Sequence, residues 1–452
     1  MSIARIFEIG KRSLLTYQSA IDTTSGNIAN VNKEGYTRRR VDLSELTAGI
    51  PGLGRVGLGV NVEDISRVRQ RMIEYQLYQE TQSLGRYETG EMMLSQLEGV
   101  YAEYSGAGLS NILSEFWNSW NDLANDPESQ ANRAVVKDKG VVLANTFNRI
   151  HTDMQNMQNQ LASEIDAKIK NINQISTQIA EINNQIQLSN SADLKDERDI
   201  LIADLSKMIN IKVRENEQGQ INITTSGLLL VSEAEASQLT MSVSRNDEYS
   251  NIEISFQNMN HQPEITSGQL KSLIEVHNER IPDNIDKLNT LARSIAENVN
   301  SLHSTGYSLS DITGVSFFDD NVGGASDFRV NNAIVNDPSL IATKSSLTGP
   351  GNGDMAMAIS NLQFDTFVDG QTASDYYISM ISLLGSEIQD MEFMHGSQQV
   401  IVDQIYNQKE SISGVSLDEE MTRLIQYEQA YQAAIRVINT VDEMVETLLA
   451  MR

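Results

Sequence analysis

The chain has 452 residues and no cysteine. This excludes disulfides, thiolate metal sites and cysteine nucleophiles together, and it leaves the redox compartment open, because a chain without thiols is indifferent to it. Long apolar runs are missing too. No stretch approaches the ~18 apolar residues of a membrane span, and the opening Met1-Ser2-Ile3-Ala4-Arg5-Ile6-Phe7-Glu8 is broken by charge too early for a secretory h-region. Taken alone, this points to the cytoplasm; it suits equally a protein exported without removal of a signal peptide. Positive charge is scarce. The 61 acidic residues outnumber 34 basic ones, a net charge of −27, which argues against nucleic acid as a partner. Hydrophobic residues at 40% still allow real cores. At roughly 150 residues per domain, the length suggests about three domains.

Catalytic signatures are also lacking. The histidines are His151, His261, His277, His303 and His395, none within metal-ligand spacing of another. His303 follows an apolar helical stretch and reads as a packed or capping side chain. Asp311 and Asp319-Asp320-Asn321 lack EF-hand spacing and read as solvated loop acids. Gly52-x-Gly54-x-x-Gly57 matches a dinucleotide fingerprint by letter, but Pro51 precedes it and Val60-Asn61-Val62 alternates where the helix should begin. A flexible loop fits better. No catalytic, cofactor-binding or metal residue is expected, and no cofactor. An enzyme or ligand-binding domain within 213–370 is the alternative from another class.

What the chain does have is helical seams. Ile3, Ile6, Gly10, Leu14, Tyr17, Ile21, Thr24 and Ile28 follow steps of three and four. One seam alone has nothing to bury against. Leu417, Met421, Leu424, Tyr427, Tyr431, Ala434, Ile438, Val441, Val445 and Leu448 offer a partner, opened by the capping box Ser416-Leu417-Asp418-Glu419. The two ends should therefore pack together, with the middle of the chain inserted between them. Charge is divided in the same sense. Residues 1–71 carry +4 and residues 411–452 carry −4, so the ends could attract, within one molecule or between neighbours. Arg38-Arg39-Arg40 suits acidic neighbours of its own kind better than nucleic acid.

Between these ends, Gly49–Gly59 predicts a loop with a short strand at Val60–Val62. From about Met72 to Ile209 the pattern is helical, with Asp126-Pro127 as a helix start and Ile172, Ile175, Ile179, Ile182 and Ile186 as a coiled-coil seam. Ile211/Val213 and Ile221/Ile223 predict a hairpin around Glu217-Gln218-Gly219; Ile252, Ile254 and Phe256 alternate likewise. A helix follows over 268–303, kinked or divided at Pro282. Residues 306–370 show only short strand candidates, and Thr372-Ala373-Ser374-Asp375 opens the next helix.

Ser25-Gly26-Asn27-Ile28-Ala29-Asn30-Val31-Asn32-Lys33-Glu34-Gly35-Tyr36-Thr37-Arg38 resembles the N-terminal signature of the bacterial flagellar axial proteins, the rod, hook and hook-associated family. The runs Ser411 to Glu420 and Leu424 to Ala433 resemble its hook-associated members, as do Leu109 to Phe116, Asp126 to Arg133, Asp196 to Leu205 and Asn300 to Phe318. Gln70 departs from the family's usual acid, and the short 306–370 segment suggests a reduced or missing outer domain. The resemblance implies a fold that is mainly α with β inserts. Terminal helices would form a coiled-coil-like inner domain (1–70 and 411–452), beside a long-helix bundle domain (71–212, 268–305 and 371–410). A β-rich outer domain (213–267) and a short β/loop insert (306–370) would complete it. It implies type III export and a secreted structural part at the hook–filament junction, with another axial part of the flagellum (hook, rod or filament) as the alternative. The expected partners are copies of itself in a ring, hook protein, a second junction protein or filament protein, and an export chaperone. Neither nucleic acid nor membrane insertion is expected. Subunit assembly would use Ile3, Ile6, Leu14, Tyr17, Ile21, Ile28, Asn30, Gly35, Tyr36, Leu417, Leu424, Tyr431, Ile438 and Val445. Leu424, Tyr431 and Ile438 would also anchor the chaperone.

Overall fold

A computed structural model describes residues 3–50, 54–101, 108–216, 218–245, 249–257, 262–347 and 351–451. Pro51 and Gly52 of the glycine cluster, Glu217 of the expected turn and His261 lie outside the described residues. The fold is mainly α with β inserts. The chain separates into two compact units: residues 1–81, 174–237 and 399–452 in one, 82–173 and 238–398 in the other. The boundary between Ser237 and Gln238 falls inside the segment 213–267.

In the first unit, α1 (Ile3–Ala29) leads into an antiparallel ribbon of β1 (Arg39–Ile50) and β2 (Gly54–Arg67), in register from Arg39↔Arg67 to Ile50↔Gly54. The sequence predicted a loop and one short strand there; the structure has two long strands. Gly54 and Gly57 lie within β2, so no helix follows the glycine cluster. An isolated ribbon is marginal in water, and α1 stabilises this one: Thr16 donates to the Val60 carbonyl at 3.2 Å. The end of α4 (Gln130–Ser189) and α5 (Ala192–Met208) carry a sheet in the order β3 (Lys212–Glu215), β4 (Ile221–Thr225), β5 (Leu228–Ser232) and β6 (Glu235–Ala236). The predicted hairpin is β3–β4, with Val213 opposite Ile223. Ile179, Ile182 and Ile186 are buried in this unit. Asn183 donates to the carbonyls of Ile221 and Glu233, fastening sheet to helix.

The second unit holds part of α2 (Arg71–Tyr101), α3 (Leu109–Asn125), much of α4, and a two-stranded sheet of β7 (Leu239–Arg245) and β8 (Ser250–Phe256). Asp126-Pro127 forms the turn after α3, and α4 starts only at Gln130. Its cap is Ser129, whose Oγ accepts from the Asn132 N–H at 3.3 Å. The helix expected over 268–303 is α6 (Gln269–Glu275), a π-helical turn at Val276–Arg280, and α7 (Ile281–His303). The division falls just before Pro282, whose missing N–H the widened turn absorbs. Residues 306–370 carry isolated bridges with α8 (Asn332–Asn336) and α9 (Asp354–Asn361). They pack inward, not as a separate insert. Phe317, Phe318 and Phe328 are buried with Phe116 and Trp120; the Trp120–Phe317 centroids lie 5.2 Å apart and those of Phe318–Phe328 4.5 Å.

α10 (Ala373–Ser413) and α11 (Leu417–Ala450) complete the chain. The two capping boxes behave differently. Thr372 Oγ1 accepts from the Asp375 N–H at 3.1 Å, as its box requires. Ser416 precedes its helix but makes no side-chain cap bond.

Candidate assembly interface

α1 and α11 pack along the predicted seams. Gly10 is buried because a Cβ there would stand 2.9 Å from Ile438 Cγ1, so glycine lets the helices close. Tyr17 and Tyr427 lie with ring centroids 6.5 Å apart. Ile3, Ile6, Leu14, Tyr17, Ile21 and Ile28 are half-buried, as are Leu424, Tyr431 and Ile438. Four members of the predicted seam are displaced: Leu417, Met421, Val445 and Leu448 lie on the exposed side of α11. Its buried residues are Ala434 and Val441, both members of that seam, and Glu420, which the seam did not include.

Glu420 is the surprise, a carboxylate only 1% exposed in a line of apolar side chains. Its partner is Asn27, which is fully buried. Asn27 Nδ2 donates to Glu420 Oε2 and to the Arg39 carbonyl, both at 2.8 Å. Its Oδ1 accepts from Tyr36 Oη at 2.9 Å and from the Arg39 N–H at 3.0 Å. All the hydrogen-bonding capacity of one amide is used. Arg38 supplies the charge: its Nε and Nη2 each stand 2.8 Å from Glu420 Oε1, and Nη2 also reaches Glu419 at 2.8 Å. Burial opposes the charge on Arg38, but the bonds to Glu419 and Glu420 outweigh it and hold the guanidinium above its ordinary pKa. The glutamate that should fold back to close the Ser416 box, Glu419, is turned to Arg38.

The opposite charges of the chain ends therefore meet within one molecule. Arg39 pairs with Asp193, and Arg67 Nη1 reaches Asp196 at 2.7 Å and Asp199 at 2.8 Å. Arg69 bonds Glu74, and Arg71 reaches Glu215 at 3.1 Å. Arg40 pairs with Asp42 on its own strand. Gly35 takes a left-handed φ of 73°, and its missing Cβ leaves space for Ile200. Tyr36 is half-buried under the Arg39 guanidinium, 5.1 Å from the ring centre, and burial pushes its pKa up. Asn30 turns back to the Gly26 carbonyl at 2.8 Å and closes its own helix. Thus Asn30, Gly35 and Tyr36 shape the α1–β1 corner from within the chain. Asn27, Arg38, Asp196 and Glu420 were absent from the predicted site. Asn27 and Arg38 stand in the N-terminal signature, but no periodicity distinguishes a buried amide from a surface one.

The remaining motifs in the second unit are packing devices. Arg133 is buried and donates to the carbonyls of Pro127 and Ile341 and to Thr343 Oγ1, with burial lowering its pKa to about 10. Asn300 exchanges two bonds with the Phe318 backbone. His303 Nδ1 lies 2.7 Å from the Val315 carbonyl, and its Nε2 accepts from the Ala342 N–H at 2.9 Å. Those two bonds fix a neutral ring protonated at Nδ1. Among the described residues no cluster of three potential metal ligands occurs, and no helix is long and apolar enough to cross a membrane.

The sequence profile of the flagellar hook-associated protein FlgK helical domain matches residues 94–318, and that of the flagellar basal body rod FlgEFG protein C-terminal region matches 408–451. Flagellar hook-associated protein 1 of Bacillus subtilis is 30% identical across 98% of this chain and 97% of its own length. That of Salmonella typhimurium is 26% identical, with 96% and 97% covered, in an alignment of 549 positions that exceeds this chain. The structure of the flagellar hook junction protein FlgK from Burkholderia pseudomallei superposes with a TM-score of 0.66 at 14% identity, covering 75% of this chain and all of that one. With terminal helices paired end to end of the sequence and relatives matched over nearly its whole length, the chain belongs to the flagellar hook-associated protein 1 family, structural components of the bacterial flagellum.

Proposed function

We propose that this chain sits as a ring of identical subunits between hook and filament, and that the exposed side of α11 is a subunit contact. The observation that carries this is the placement of apolar residues on α11. Leu417, Met421 and Ile425 are each about half exposed, at 48%, 49% and 52%, and Val445 and Leu448 continue the exposure. Apolar surface repeated along one helix marks an interaction face. Ile438 packs on Gly10 of α1, and Leu424 and Tyr431 are half-buried on the same helix, so an export chaperone using the three as anchors would bind α11 before it docks on α1. Hook protein on one side, and a second junction or filament protein on the other, are the neighbours this placement calls for.

The test is a chain carrying Leu417→Asp and Met421→Asp, expressed in cells lacking the native copy. Both side chains are exposed, so the purified variant should melt with the wild type. Buried in a subunit contact, each unpaired carboxylate costs several kcal/mol. Electron microscopy should show hooks without filaments. Filaments at the normal frequency would refute this face as a contact.

A further inference from the structure

The apolar pattern of α11 and its observed orientation disagree at its first turns. By periodicity, Leu417 and Met421 belong to the contact line with α1; in the structure Glu420 takes that line and both stand outside. Successive helix residues are about 100° apart. Turning α11 by about half that step would carry Glu420 to the flank. It would bring Leu417 and Met421 toward α1 beside Leu424 and Tyr431, and would uncover Ala434 and Val441. Hydrophobic burial therefore acts both ways along the helix, because what Leu417 and Met421 gain is offset by what Ala434, Val441 and the Ile438–Gly10 contact lose. At the first turns of α11 the observed phase is held by polar groups. Asn27 and Arg38 hold the Glu420 carboxylate inward with donors at 2.8 Å, and each would lose that acceptor if the helix turned.

We infer that the Asn27–Arg38–Glu420 cluster selects the rotational phase of α11 on α1, keeping Leu417 and Met421 outward for a neighbouring subunit. A buried polar contact that fixes one arrangement among several apolar ones is a recognised use of such groups. These are positioning residues: they act through the helix they hold. The use of the outward face in assembly rests on the proposed function, whereas the phase of the helix does not.

Because the chain has no cysteine, a single introduced thiol reports on its own position. Met421→Cys should react quickly with a maleimide probe in the otherwise native chain, and Ala434→Cys, at a buried position, slowly. Arg38→Met leaves the Glu420 carboxylate with Asn27 alone and should turn the helix. Labelling at 421 should then fall about tenfold, the factor given by about 1.4 kcal/mol of preference for the turned phase, while labelling at 434 rises. Adding Glu420→Gln, which removes the charge but keeps an acceptor for Asn27, should restore fast labelling at 421. If Arg38→Met leaves both rates unchanged, or speeds 434 while 421 stays fast because the helix has simply come away, the cluster does not select the phase. Filament assembly by the same variants is read separately. A slowed 421 with normal filaments supports the phase selection and refutes the assembly role of the outward face.

Discussion

Around Trp120 and Phe317 the chain buries aromatic rings on every side, whereas α11 meets α1 along one line and shows most of its length to solvent. The aromatic region is a finished core. Phe116, Trp117, Trp120, Phe317, Phe318 and Phe328 come from α3 and from a segment almost 200 residues later, yet none is left more than 1% exposed. The helix pair differs in the same terms: leucine, methionine and isoleucine residues of α11 stay about half exposed. Polar groups divide the same way. His303 and Arg133 bond mainly to backbone groups, which fastens loops; Asn27 and Arg38 also reach a side chain of another helix, which orients it.

This contrast is most sharply tested by truncation. Trp120→Ala should destabilise the second unit by about 3–5 kcal/mol in urea or thermal unfolding, because the cavity cannot collapse among close-packed rings. Met421→Ala should change stability by no more than about 0.5 kcal/mol. Comparable losses at the two positions would mean that α11 is already covered in the isolated chain.

The next largest effect is one of pH. Burial pushes the His303 pKa down to about 4, from an ordinary value of 6.5, and Arg133 nearby acts in the same direction. Between those values the unfolded chain binds a proton that the folded ring refuses. Stability contributed by the neutral ring is therefore full above pH 6.5 and declines as pH falls toward 4, by about 3 kcal/mol at the lower end. Urea midpoints measured across pH 4–7 should show that slope in the native chain and lose it in His303→Gln. An unchanged slope in the variant would assign the acid sensitivity elsewhere.

The smallest effect separates two motifs that read alike. Thr372→Ala should cost about 1 kcal/mol, because its hydroxyl caps α10. Ser416→Ala should cost less than about 0.5 kcal/mol, because its hydroxyl makes no cap bond and Glu419 is engaged by Arg38. Thermal denaturation of the two variants, compared in one buffer, decides it.

The sequence by itself determined the elements whose signal is a period. The terminal seams, the isoleucine ladder of α4 and the β3–β4 hairpin each repeat at helical or strand spacing, because one face of each is buried over several turns or residues. It also determined the family, through motifs whose packing reasons emerge in the fold: Arg133 under the Asp126-Pro127 turn, and Asn300 and His303 on the backbone of the segment that follows them. Only the tertiary structure decided the rest. The β1–β2 ribbon was hidden because its glycines read as a loop, while the strands gain their stability from α1 lying across them. Residues 306–370 looked like an insert because their apolar residues are few and aperiodic, yet three phenylalanines among them complete a core begun at Phe116. Glu420 could not be placed from the sequence, because a glutamate at that position reads as a solvated face until Asn27 and Arg38 arrive from the other end of the chain. A period records which face is buried; it does not record a hydrogen bond made across nearly 400 residues.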